Sequence, residues 1–152
     1  WSYAVSSGDS LTPSWQLSSF ENDAYHLCVY GPNGFFREFK GQANSPQLSV
    51  KGVYETSKSS KNQLSGNLTL QFRNAESQKR LRVVITDNAY KNTPKTVVVE
   101  AKNGQASLVL DLKKSYGWYD VSIRVEGADG FEQRFAGHVE TGKDSVSDPA
   151  MA

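Results

Sequence analysis

Cysteine is almost missing from this sequence: Cys28 is the only one in 152 residues. That count excludes an internal disulfide framework and any multi-cysteine metal site. It leaves the compartment open, since bacterial exported proteins also manage without disulfides. Long apolar runs are missing as well, so no segment could cross a bilayer as a helix. Neither sign of charge is in excess. A formal net charge of +1 is too weak a field to draw nucleic acid or an acidic membrane. No stretch sustains a helical apolar period. The chain starts at Trp1 without Met and without a basic-then-apolar leader, and it reads as a piece of a longer polypeptide.

What is present is period two. In LSGNLTLQFRN, Leu64, Leu68, Leu70 and Phe72 alternate with polar residues; successive strand side chains take opposite faces, one toward a core and one toward water. The same pattern marks Gln47–Tyr54, Leu81–Thr86, Thr96–Ala101, Ser107–Leu112, Tyr119–Val125 and Phe131–Phe135. Seven short strands at even spacing predict an all-β antiparallel sandwich. Pro32-Asn33-Gly34, Asp87-Asn88, Lys102-Asn103-Gly104 and Ala128-Asp129-Gly130 supply turn residues, with Pro32 expected at the first central position of its turn. SKSSKN, from Ser57, reads as a solvated loop. A Tyr two residues after Gly117 suggests the tyrosine corner of immunoglobulin-like sandwiches, its hydroxyl bonding the backbone upstream.

One phrase occurs twice: YGPNGFFREFKG at Tyr30–Gly41 and VEGADGFEQRFAG at Val125–Gly137, with Gly34 and Gly130 96 positions apart. Upstream, Tyr3–Leu17 lines up with Val98–Leu112. Such repetition points to a duplicated unit. The expected organisation is the C-terminal half of a first β-repeat at 1–43, a complete second repeat at 44–139, and a poorly ordered tail at 140–152. Half a sandwich has an apolar face without a sheet of its own, and packing on the complete unit is the expected remedy.

Chemistry is sparsely signalled. His26 and His138 have no second His or Cys at metal-ligand spacing, and Cys28, on an outward face, lacks the His–Asn/Asp signature of a thiol nucleophile. The acids Asp87, Asp111, Asp120 and Asp129 fall in turns or on solvent faces without calcium-loop spacing. No catalytic, cofactor or metal residue is assigned. Trp15, Phe36 and Trp118, with Phe20, fall at strand ends, turns or outward positions; they suit either contact between the two copies or anchoring at a lipid interface. Arg37 and Arg134 read as ion-pair donors.

The segment YGPNGFFREFKG and the ending GWYDVSIRVEGADGFEQRFAGHVETGKDSVSDPAMA resemble the C-terminal region of bacterial phosphocholine-preferring phospholipases C, across essentially the whole chain. The resemblance implies an exported parent enzyme that hydrolyses phosphatidylcholine to diacylglycerol and phosphocholine. It also implies that catalytic and metal-binding residues belong to an N-terminal phosphoesterase domain, the partner of this segment, with a phospholipid surface as a second partner. The expected function is a non-catalytic accessory module of a secreted or periplasmic enzyme. The competing reading is a generic binding sandwich, an adhesin or carbohydrate-binding module.

Overall fold

The structure, a computed structural model, describes residues 3–57 and 63–151. Among them are nine strands: β1 Ala24–Tyr30, β2 Phe36–Gln42, β3 Leu48–Thr56, β4 Leu64–Asn74, β5 Leu81–Asp87, β6 Lys95–Val99, β7 Gly104–Leu110, β8 Trp118–Val125 and β9 Glu132–His138. The other regular elements among the described residues are short 3-10 turns. Of the expected solvated loop, 58–62 lie outside the described residues.

The strands form two antiparallel sheets, ordered β1-β2-β9-β8-β5-β6 and β3-β4-β7. Alternation in the sequence becomes alternation in burial. Leu68, Leu70 and Phe72 of β4 face Val83, Ile85, Tyr119, Val121 and Ile123 of the larger sheet in one apolar core. The all-β sandwich is thus the observed fold, and its seven predicted strands are β3 to β9.

Three local expectations differ. At the first hairpin Pro32 precedes the central pair: Asn33 and Gly34 both take positive φ (55° and 71°), and the Phe35 amide donates to the Pro32 carbonyl at 3.1 Å. A turn of that hand matches the twist of the strands it joins. At Lys102-Asn103-Gly104 the left-handed positions are Lys102 and Asn103, and near Asp129 the positive φ belongs to Gly127. The Tyr119 hydroxyl bonds Arg37 and Tyr54 side chains rather than the backbone upstream.

The fourth difference is larger. Residues 3–16, aligned in sequence with the region of β7, form no strand, and Tyr3, Val5 and Leu11 are each more than half exposed. The reason is pairing. β7 exists because β4 lies beside it, with seven opposed residues from Leu68↔Leu110 to Asn74↔Gly104, and among the described residues no strand lies beside 3–16. The hairpin β1–β2 does have a partner. It joins the larger sheet edge to edge, β2 against β9, instead of lying face to face on it.

Leu70 is fully buried at the middle of β4, so Leu70→Ala is expected to lower unfolding free energy by about 2–5 kcal/mol in denaturant titration. The same change at exposed Val109 of β7 should have a far smaller effect.

Candidate functional site

The hairpins β1–β2 and β8–β9 meet at the β2–β9 ladder, and their register has a local two-fold. Phe36 faces Ala136, Lys40 faces Glu132, and Glu38 faces Arg134 at the centre; Glu38 and Arg134 are themselves 96 positions apart. Each hairpin also lays a tyrosine over a glycine, Tyr25 opposite Gly41 and Tyr119 opposite Gly137. A Cβ at Gly137 would stand 2.9 Å from the Tyr119 hydroxyl, and one at Gly41 would overlap the Tyr25 ring. Close approach fixes both glycines, and at Gly137 a φ of 154° adds a backbone demand of its own.

The inner face of this joint is held by Arg37. Its Nη1 donates to the carbonyls of Phe36 at 2.7 Å and Ala136 at 2.8 Å, and Nη2 donates to the Tyr119 hydroxyl at 3.0 Å. The guanidinium lies 4.2 Å from the Phe35 ring centre and 4.6 Å from that of Phe135. The expectation of an ion pair is corrected here: Arg37 is clamped among carbonyls and rings, where its flat fork reaches three acceptors at once. The Tyr54 hydroxyl, from the opposite sheet, stands 3.4 Å from that of Tyr119. Burial, and then its hydrogen bond with Tyr119, pushes the Tyr54 phenol well above its ordinary value.

On the outer face Arg134 does form an ion pair. It binds both oxygens of Asp120, at 2.7 and 2.5 Å, while Asn88 donates to the same carboxylate at 2.9 Å. Burial pushes the Asp120 carboxyl up, but the bonds from Arg134 and Asn88 outweigh it and leave it below the usual value. In the other hairpin Glu38 binds His26 at 2.6 Å and Lys40 at 2.9 Å. The hydrogen bond from Lys40 is the main reason the Glu38 carboxyl lies below its ordinary value.

The three predicted contact residues are not brought together. Trp118 is half-buried. Its indole packs on His138, ring centres 4.6 Å apart, and Nε1 donates to the Val146 carbonyl at 2.9 Å. Its far edge lies against Gly34, on the turn of the first hairpin. Phe36, also half-buried, stacks on Tyr30 with ring centres 5.0 Å apart and lies beneath Arg134, 5.5 Å from its centroid. Trp15 sits in the segment before β1 and is exposed. The tail expected to be poorly ordered is held instead. Besides the Trp118–Val146 bond, the Tyr90 hydroxyl donates to Asp148 at 2.9 Å, and Pro149–Met151 form a 3-10 turn.

A cleft of about 320 Å³ beside β5, β6 and β8 is lined by Asp87, Asp111 and Asp120, with Tyr90 and Tyr119. All three acids are committed to local bonds. Asp87 accepts from the amides of Ala89, Tyr90 and Asn92, Asp111 from that of Lys113, and Asp120 from Arg134 and Asn88. Asp87 and Asp111 shape turns and Asp120 pairs across the sheet; they do not converge on a reacting atom. One cluster of ligand-type atoms does occur among the described residues: His26, Cys28 and Glu38, within 4.8 Å of one another. Linear spacing hid it, because Glu38 arrives from across the ladder, opposite Cys28.

Arg37→Met keeps length and removes the donors. It should lower unfolding free energy by about 2–4 kcal/mol in denaturant titration. Asp120, with its lowered pKa, contributes stability that is fully present above the unfolded Asp value of about 3.9 and is lost as pH falls through the lower folded value; Asp120→Asn should remove that part of the acid limb of a pH–stability curve. Trp118→Phe, which deletes the indole donor, is expected to speed amide exchange in the segment around Val146 while leaving exchange in β4 and β5 unchanged.

Comparison with known proteins covers nearly all of this architecture. The family described as bacterial phospholipase C, C-terminal domain, matches residues 1–42 and 48–138. The chain is 37% identical over 158 aligned positions to a non-hemolytic phospholipase C of Burkholderia pseudomallei, covering 100% of this chain and 21% of that protein. It is 34% identical over 136 positions to a non-hemolytic phospholipase C of Pseudomonas aeruginosa, covering 88% and 20%. With the hemolytic phospholipase C of the same organism it shares 38% over 138 positions, covering 86% and 17%. The chain spans about a fifth of the length of the curated relatives it matches. By the extent of the family match, this chain belongs to the bacterial phospholipase C C-terminal domain family.

Proposed function

We propose that this chain is a non-catalytic C-terminal module of a secreted bacterial phospholipase C, which stabilises a preceding phosphoesterase domain and aids its engagement of phosphatidylcholine. The observation that carries this reading is that the whole chain aligns with only about a fifth of its phospholipase C relatives, within a family described as the C-terminal domain. The committed state of the acids in the cleft beside β5, β6 and β8 agrees with it. The hydrolysis of phosphatidylcholine to diacylglycerol and phosphocholine then belongs to the rest of the polypeptide.

Two structural readings accompany the proposal. The order β3-β4-β7 against β9-β8-β5-β6 agrees with an immunoglobulin-like sandwich, whose two sheets divide their strands in this manner. The family match in two blocks, together with the two-fold register centred on Glu38 and Arg134, supports reading β1–β2 as the end of a first copy and β3–β9 as the second. The inner row of the added hairpin is then the docking face for the preceding polypeptide. Phe135 is buried, but across the ladders Phe39 and Leu27 are half-buried and Val29 is 49% exposed. Lipid contact, in this reading, falls to Trp15 and Phe36.

The test compares the 152-residue chain with the parent enzyme on phosphatidylcholine vesicles. No turnover by the chain alone, and a lower melting temperature of the parent when Leu27→Asp and Val29→Asp are introduced, are the expected results. Turnover by the isolated chain would overturn the proposal. Vesicle binding unchanged by Trp15→Ala with Phe36→Ala would remove the lipid role, and specific capture on a glycan array without vesicle binding would favour a carbohydrate-binding module.

A further inference from the structure

On the outer face of the added hairpin, His26 and Cys28 alternate along β1, so both side chains leave the sheet on one side, and Glu38 stands directly opposite Cys28 on β2. The Glu38 Oε1 is 2.6 Å from His26 Nε2, and Cys28 Sγ is 3.6 Å from the same nitrogen. That shared nitrogen decides between two chemistries. A nucleophile–base–acid relay needs the thiol and the carboxylate on opposite ring nitrogens; here both approach Nε2, so the three donors aim at one point. The geometry points to a divalent transition-metal site of the zinc type, formed by His26 Nε2, Cys28 Sγ and Glu38 Oε1, with the fourth position open to water.

The dimensions agree. Tetrahedral zinc with bonds of about 2.0–2.3 Å places N and S about 3.6 Å apart and N and O about 3.4 Å apart. The first separation is already met. The second requires the His26–Glu38 hydrogen bond to open by about 0.8 Å, a small swing for an imidazole whose side chain is 58% exposed. Glu38, at 10%, is the fixed member. A nitrogen, a thiolate and a carboxylate form a borderline set that suits zinc or cobalt better than magnesium or calcium.

Charge is also balanced. Thiolate and carboxylate together neutralise a dication, and binding sends the Cys28 proton to solvent. The cation now on Glu38 is Lys40, 2.9 Å away. It must leave, and Glu132, 4.0 Å from its nitrogen, is placed to receive it. Arg134, the other nearby cation, is held on Asp120. A bound metal would therefore staple β1 to β2 at the outermost edge of the larger sheet, a role separate from the accessory function proposed above.

Cobalt(II) titration of the reduced 152-residue chain tests this. One ion per chain, with a thiolate-to-metal charge-transfer band bleached by zinc chloride, is expected. Cys28→Ser should abolish the band. Glu38→Gln and His26→Gln should each weaken affinity more than about tenfold, the lower end of what even outer-shell partners are worth, and Lys40→Met should strengthen it. Circular dichroism follows the fold of each variant; if Glu38→Gln does not fold, His26→Gln and Cys28→Ser, at exposed positions, carry the test. Saturation without a thiolate band overturns the site, as does an affinity that His26→Gln leaves unchanged.

Discussion

The clamp of Arg37 is the interaction on which the joining of the two segments depends. The β2–β9 ladder by itself is an ordinary antiparallel pairing, and an edge pairing supplies no core. Arg37 converts it into a three-way junction. One guanidinium holds a carbonyl on each strand and, through the Tyr119 hydroxyl, reaches Tyr54 on the opposite sheet. Packing between Phe35 and Phe135 half-buries the cation, where charge-assisted contacts are stronger than in bulk water.

The outer face works by a different rule. There the ion pairs are partly exposed, and their contribution is small per pair; they act mainly on register. Lys40, Glu132, Arg124, Arg134 and Asp120 are joined in cross-strand pairs over three strands, β2, β9 and β8, and a slip of one residue would break these pairs while turning the apolar row outward. The tail adds a third layer, fastened at Trp118 and Tyr90.

Much of the fold was legible in the sequence because alternation is a local signal. β4 occupies the segment Leu64–Asn74 that its pattern predicts, and His26 and Cys28 take the outward face their parity assigns. What was not legible depends on partners distant in the chain. Residues 3–16 match β7 in sequence yet form no strand, since a strand is a property of two segments. Arg37 could not be told from a surface cation, because its cage is assembled from Phe35, Tyr119 and Phe135 across two strands. Glu38 escaped notice as a companion of His26 and Cys28 for the same reason: register, not spacing, brings them together. Trp118 read either as a contact between the two copies or as a lipid anchor, and parity could not choose, because the residues against it, His138, Val146 and Gly34, come from three separate parts of the chain.

The two-fold at the joint is geometric but not electrical. At its centre an acid faces a base, and its flanking pairs follow suit: a histidine accompanies the acid in one hairpin, and an aspartate accompanies the base in the other. Were β2 to meet a second β2 in this register, Glu38 would confront another Glu38; β9 against β9 would set Arg134 against Arg134. Only the mixed marriage of the two edges is electrostatically comfortable. Charge thereby steers these like-shaped edges away from pairing with their own kind in a second molecule.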